Sequence, residues 1–86
     1  MQSFTYTIND ENGIHARPAG VIVNSAKKFT SSITVKCNGK SADCKKLFSI
    51  MGLGAVKGDI LNVTVEGQDE KSAASTVRNA MEEAGL

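Results

Sequence analysis

Polar and apolar residues alternate from Ser3 to Ile8, with Phe4, Tyr6 and Ile8 against Ser3, Thr5 and Thr7. A period of two predicts a half-buried β-strand there. Asn9-Asp10-Glu11-Asn12-Gly13 is a run of turn-forming residues that ends it. The period then lengthens. Ala19, Ile22, Val23 and Ala26 fall at i, i+3, i+4 and i+7, which predicts a helix beginning just after His15. Pro18 suits its first turn, where N–H groups have no intrahelical partner. Lys27 and Lys28 are expected in its last turn, where the helix dipole favours cations.

Alternation returns at Ser32–Cys37, with Ile33, Val35 and Cys37 on one side. Asn38-Gly39 follows, the strongest short hairpin signal, because both residues tolerate positive φ. Lys40–Cys44 is then a short return strand, with Cys37 opposite Lys40 and Ile33 opposite Cys44. Lys45–Met51 is apolar on several sides and reads as a short helix closed by Gly52 and Gly54. Asp59–Glu66 carries Leu61, Val63 and Val65 on one face of a fourth strand. Asp69 is the expected N-cap of a last helix, with Glu70 in its first turn. Its apolar stripe is Ala73, Val77, Ala80, Met81 and Ala84, and Gly85 closes it. The order βαββαβα predicts an α+β fold: a four-stranded, mainly antiparallel sheet with three helices on one face and solvent on the other.

Composition narrows the function. At 86 residues the chain is read as one domain. Lys+Arg 10 against Asp+Glu 9 leaves a net charge of +1, and aromatics are 5% with no tryptophan. Nucleic acid is therefore not an expected partner. No apolar run approaches membrane-spanning length and no signal-peptide layout opens the chain, so a cytoplasmic location without membrane insertion is expected. Two cysteines do not make a disulfide scaffold, and Cys37, Cys44 and the single histidine lack metal-ligand spacing. Neither a metal nor a cofactor is expected.

The chemistry concentrates in Gly13-Ile14-His15-Ala16-Arg17-Pro18-Ala19. A helix N-terminus offers free N–H groups and the positive dipole end to an anion, here over the Ala16, Arg17 and Pro18 region. Arg17 adds a fork of donors suited to phosphate oxygens. The imidazole of His15 is the strong nucleophile of the neighbourhood. Together these parts point to a histidine that accepts a phosphoryl group. A lone histidine beside a helix start is more often a capping or solvated residue, and the residue types alone leave both readings open. No Asp, Ser or Cys inside the motif completes a hydrolase triad.

The motif Gly13-Ile14-His15-Ala16-Arg17-Pro18 resembles the active-site signature of the HPr family, histidine phosphocarriers of the bacterial phosphoenolpyruvate:sugar phosphotransferase system. The resemblance runs along essentially the whole chain. It includes Phe29-Thr30-Ser31, Asn38-Gly39-Lys40, Leu53-Gly54, Lys57-Gly58 and Glu66-Gly67. It implies an open-faced β-sandwich, the layout already read from the pattern. It also implies a monomer spanning 1–86 that relays a phosphoryl group rather than turning over a substrate. His15 would take the group on Nδ1 from phospho-enzyme I and pass it to a sugar-specific enzyme IIA. Leu47, Phe48 and Met51 would form an apolar docking patch rimmed by Arg17, Lys27, Lys45 and Lys46, with Ile50 and Leu53 left for the core. Many relatives carry a regulatory serine where this chain has Lys46, so HPr kinase is not expected to act there, and Ser49 does not match that position. The competing function is an HPr-like regulatory module whose output is protein binding.

Overall fold

The computed structural model describes residues 1–86. Its elements run β1 (Gln2–Thr7), α1 (Ala16–Ala26), β2 (Ser32–Cys37), β3 (Lys40–Asp43), α2 (Leu47–Met51), β4 (Ile60–Glu66) and α3 (Glu70–Glu83). The sheet order is β1-β4-β2-β3, with every neighbour antiparallel. The fold is thus the expected βαββαβα open sandwich.

Alternation decides which face is covered. Ile33 and Val35 from β2 and Leu61, Val63 and Val65 from β4 are buried, and Phe4 and Tyr6 of β1 pack half-buried against them. The opposite face carries Ser3, Thr5, Thr34, Lys36, Asn62 and Thr64 and has no helix over it. Helices α1 and α3 close the core with Ala19, Ile22, Val23 and Ala26 from one and Ala73, Val77, Ala80 and Met81 from the other. Ile50 and Leu53 are buried as expected. Leu61 is fully buried, so truncating it to alanine would remove about 3 kcal/mol.

The hairpin forms as its residues dictate. Asn38 and Gly39 take φ of 52° and 78°, and Cys37 pairs with Lys40. The last strand pair is Thr34 with Asp43, and Cys44 N–H still reaches the Ile33 carbonyl at 2.9 Å. Cys37 and Cys44 are free and buried, and burial pushes the Cys44 thiol up to about 12.

Three expectations needed correcting. Helix α1 ends at Ala26, so Lys27 and Lys28 lie beyond its last turn, and the Lys27 N–H closes on the Val23 carbonyl. Helix α2 starts at Leu47 rather than Lys45. Asp43 takes the Lys45 N–H on Oδ1 at 2.9 Å and the Lys46 N–H on its carbonyl at 3.0 Å, so these residues form a turn. The close of α2 is as expected, with Gly52 at its C-cap and Gly54 in the left-handed region. Asp69 precedes α3, but its side chain caps nothing there. Its carboxylate instead accepts the N–H groups of Thr30 (2.9 Å) and Ser31 (3.0 Å) and the hydroxyls of both residues. These contacts clamp the α1–β2 loop to the start of α3.

Candidate functional site

Gly13 brings the histidine loop onto the body of the protein. It sits at φ +64°, and a Cβ there would lie 2.3 Å from the Ala55 carbonyl oxygen. Only glycine allows so close an approach. The next residue completes the seam, as Ile14 donates its N–H to that same carbonyl at 3.1 Å. The α2–β4 loop beneath is itself tied down. Asp59 Oδ2 accepts the Val56 N–H and the Asn38 side-chain amide, both at 3.0 Å.

His15 then occupies the N-cap of α1 in extended backbone, φ −115° and ψ −174°. Its carbonyl accepts the Ala19 N–H at 3.1 Å, the first bond of the helix. Its side chain makes no capping bond. The ring turns back instead, placing Nε2 3.1 Å from Asp10 Oδ2. The imidazole is about one-third exposed, and the carboxylate beneath it is half as accessible.

Asp10 is the residue that sequence reasoning missed. The sequence assigns it only to a turn, outside the Gly13–Ala19 motif that carries the chemistry. Each polar group of Asp10 is engaged. Oδ1 accepts the Asn12 N–H at 2.9 Å, the carbonyl accepts the Gly13 N–H at 2.9 Å, and the N–H reaches the carbonyl of buried Leu86 at 2.9 Å. The bonds from Asn12 and then His15 hold its carboxyl below the usual carboxylate range, helped by the nearby charge of Arg17. An ionised carboxylate only accepts hydrogen bonds, so Nε2 must donate. In the neutral imidazole that leaves Nδ1 without its proton and with a free lone pair. The signal available in sequence was the Asp-x-Asn-Gly turn itself, which aims an Asp carboxylate at a backbone N–H two residues on.

At the start of α1, the N–H groups of Ala16 and Arg17 have no hydrogen-bond partner, and Pro18 has no N–H to satisfy. Arg17 is exposed and forms no ion pair. Nucleophile, unpaired donors and an exposed cation thus share one helix end, an arrangement suited to a tetrahedral anion beside Nδ1.

The remaining expected residues lie on or just before α2, which packs against α1, except Lys27, which caps the end of α1. Phe48 is 84% exposed, the most exposed large apolar side chain of the molecule. Leu47 and Met51 are half-buried against the core. Lys27, Lys46 and Ser49 are exposed. Lys45 is half-buried, and its ammonium donates to the Phe29 carbonyl at 2.8 Å, so it ties the turn before α2 to the α1–β2 loop. No group of His, Cys, Asp and Glu side chains could hold a metal, and no helix is long and apolar enough to cross a membrane.

Known proteins share this architecture over its full length. The family model described as the phosphotransferase-system HPr component phosphorylation site matches residues 2–83. The histidine-containing phosphocarrier protein of Mycoplasma superposes with a TM-score of 0.97 at 30% identity, over 99% of this chain and 97% of that one. HPr from Thermoanaerobacter tengcongensis gives 0.90 at 34% identity, over 99% and 96%. Crh, the catabolite repression protein of Bacillus subtilis, seen as a domain-swapped, intertwined dimer, gives 0.76 at 27% identity, over 94% and 93%. The motif around His15, the open sandwich and the match along the whole chain have one conclusion: the chain belongs to the HPr family of phosphotransferase-system phosphocarriers.

Proposed function

We propose that the protein relays a phosphoryl group from phospho-enzyme I to sugar-specific enzyme IIA components, carrying it on Nδ1 of His15. The observation that carries this reading is the ring's orientation: Nε2 is spent on Asp10 and Nδ1 is free. In loading, the Nδ1 lone pair attacks phosphorus as the donor's P–N bond breaks. The Ala16 and Arg17 N–H groups and the Arg17 guanidinium face the developing charge on the equatorial oxygens. In unloading, the Nδ1–P electron pair returns to the ring and neutral imidazole is restored. Nothing is consumed on the protein, as befits a carrier. Exposed Phe48, with Leu47 and Met51 beside it, forms the apolar contact for both partners, and Lys27 and Lys46 steer acidic surfaces toward it.

The test is transfer from labelled phosphoenolpyruvate through enzyme I. His15→Ala should remain folded and take no label, and wild-type label should be acid-labile and base-stable. Label persisting in His15→Ala would falsify the assignment. The likeness to Crh favours a second reading, a regulatory binding module. It predicts partner binding with no dependence on phosphate transfer.

A further inference from the structure

Transfer through Nδ1 raises a question of protons. Once Nδ1 bears the phosphoryl group, the ring is neutral only if Nε2 gives up its hydrogen. A protonated phosphoimidazole loses the group readily, because its leaving group is neutral imidazole. The lifetime of the loaded state and the ease of transfer are therefore set by what faces Nε2.

The charged groups on the segments meeting at the ring are few. The β1–α1 turn brings Asp10 and Glu11, α1 brings Arg17, and the α2–β4 loop brings Lys57 and Asp59, the latter with Oδ2 taken by Val56 and Asn38. Lys57 lies 4.0 Å from Glu11, and both are exposed. The carboxylate of Asp10 touches the ring through one oxygen and holds the Asn12 N–H with the other, while its backbone is pinned by Gly13 and Leu86. Such a support is stiff, since releasing Asp10 would leave the Leu86 carbonyl with only the Asn9 N–H.

We infer that Asp10 is the positioning residue of this site, holding the Nε2 proton of His15 throughout the transfer cycle. In the free protein it selects the tautomer with Nδ1 as nucleophile. In the loaded protein it balances the positive charge of the phosphoimidazolium, so the ring stays in the form from which phosphorus departs. No proton is taken up or released: the Nδ1–P bond forms and breaks while the Nε2–H bond persists. This deepens the proposed relay and rests on it, but its test does not need the partners. Phosphoramidate, a small phosphoryl donor, loads an accessible imidazole without enzyme I.

The experiment compares wild type with Asp10→Asn, which keeps the shape of the side chain and removes its charge. Nitrogen-15 NMR of the unphosphorylated proteins reads the tautomer at alkaline pH. Phosphorus-31 NMR of the phosphoramidate-loaded proteins reads protonation and hydrolysis against pH. In the variant the Nδ1–H tautomer should gain population. The acid-lability profile should move to lower pH, with hydrolysis at neutral pH slowed about tenfold, the ratio equivalent to one charge-assisted hydrogen bond. Unchanged tautomer and unchanged lability would overturn the inference, even if relay from enzyme I slowed, because Asp10 would then act on docking alone. Failure of relay with an intact phosphorus-31 response would sink the proposed function and leave the role of Asp10 standing. Backbone spectra superimposable outside residues 9–17 show that the variant is folded.

Discussion

Two aspartates precede two helices in this molecule and do opposite work. Asp69, before α3, accepts bonds from the hydroxyls and N–H groups of Ser31 and Thr30, led by the Ser31 hydroxyl, which hold its carboxyl down at about 2. Asp10, before α1, spends one oxygen on a backbone N–H and the other on an imidazole. Both carboxylates are fixed anions. The partners of Asp69 cannot titrate near neutral pH, and Ser31 is 1% exposed, so the result is a clamp. The partner of Asp10 is a nucleophilic ring reachable from solvent, so the same kind of bond becomes a control on reactivity.

Of the two aspartates, Asp69 should give the larger loss of stability when removed. Asp69→Ala strips the Ser31 hydroxyl of its partner, and an unpartnered buried hydroxyl alone costs about 1–3 kcal/mol. The thermal midpoint should fall by several degrees, while molecules still folded accept phosphate at the wild-type rate. A fall in transfer rate larger than the loss of folded protein would erase the division between clamp and control. Asp10→Asn should do the reverse, slowing relay about tenfold with little change in midpoint.

Acid sharpens the contrast. A carboxyl depressed in the folded state adds stability that is present above its unfolded value and is lost as pH falls through the folded value. For Asp69 that window runs from the ordinary 3.8 down to about 2. Wild type should therefore lose stability across it more steeply than Asp69→Asn, as followed by chemical denaturation at successive pH values. Parallel curves would show that the clamp does not depend on charge. The smallest expected effect comes from a residue touching neither aspartate. Lys46→Asp should slow loading from enzyme I a few-fold at low salt and hardly at all at high salt, because an exposed charge acts on association and is screened. Equal rates at low salt would place Lys46 outside the docking face.

The parts legible in the sequence are those whose causes are local. The Asn38-Gly39 turn, the alternation of β2 and β4 and the apolar stripes of α1 and α3 each depend on neighbours a few residues away. The start of α2 was misread by two residues because Asp43 competes for the N–H of Lys45. Asp69 was correctly placed before α3, but its partners lie 38 and 39 residues upstream, and no periodicity reports a bond of that span. At the candidate site, His15 and the unpaired N–H groups followed from the motif. Asp10 did not, because its role depends on the ring swinging back over the turn rather than capping its own helix.

The seam between Gly13–Ile14 and Ala55 also has a consequence in time. A chain synthesised from its N-terminus has His15, Asp10 and Arg17 long before Ala55 exists. Contacts of such sequence separation form late, after their loop entropy has been met. The histidine thus gains its floor only when more than half of the chain has been made and the α2–β4 loop has been drawn down by Asp59. In the proposed relay, competence to hold phosphate is then a property of the finished fold, and the rate at which a refolding sample regains loading by enzyme I should report the closure of that loop.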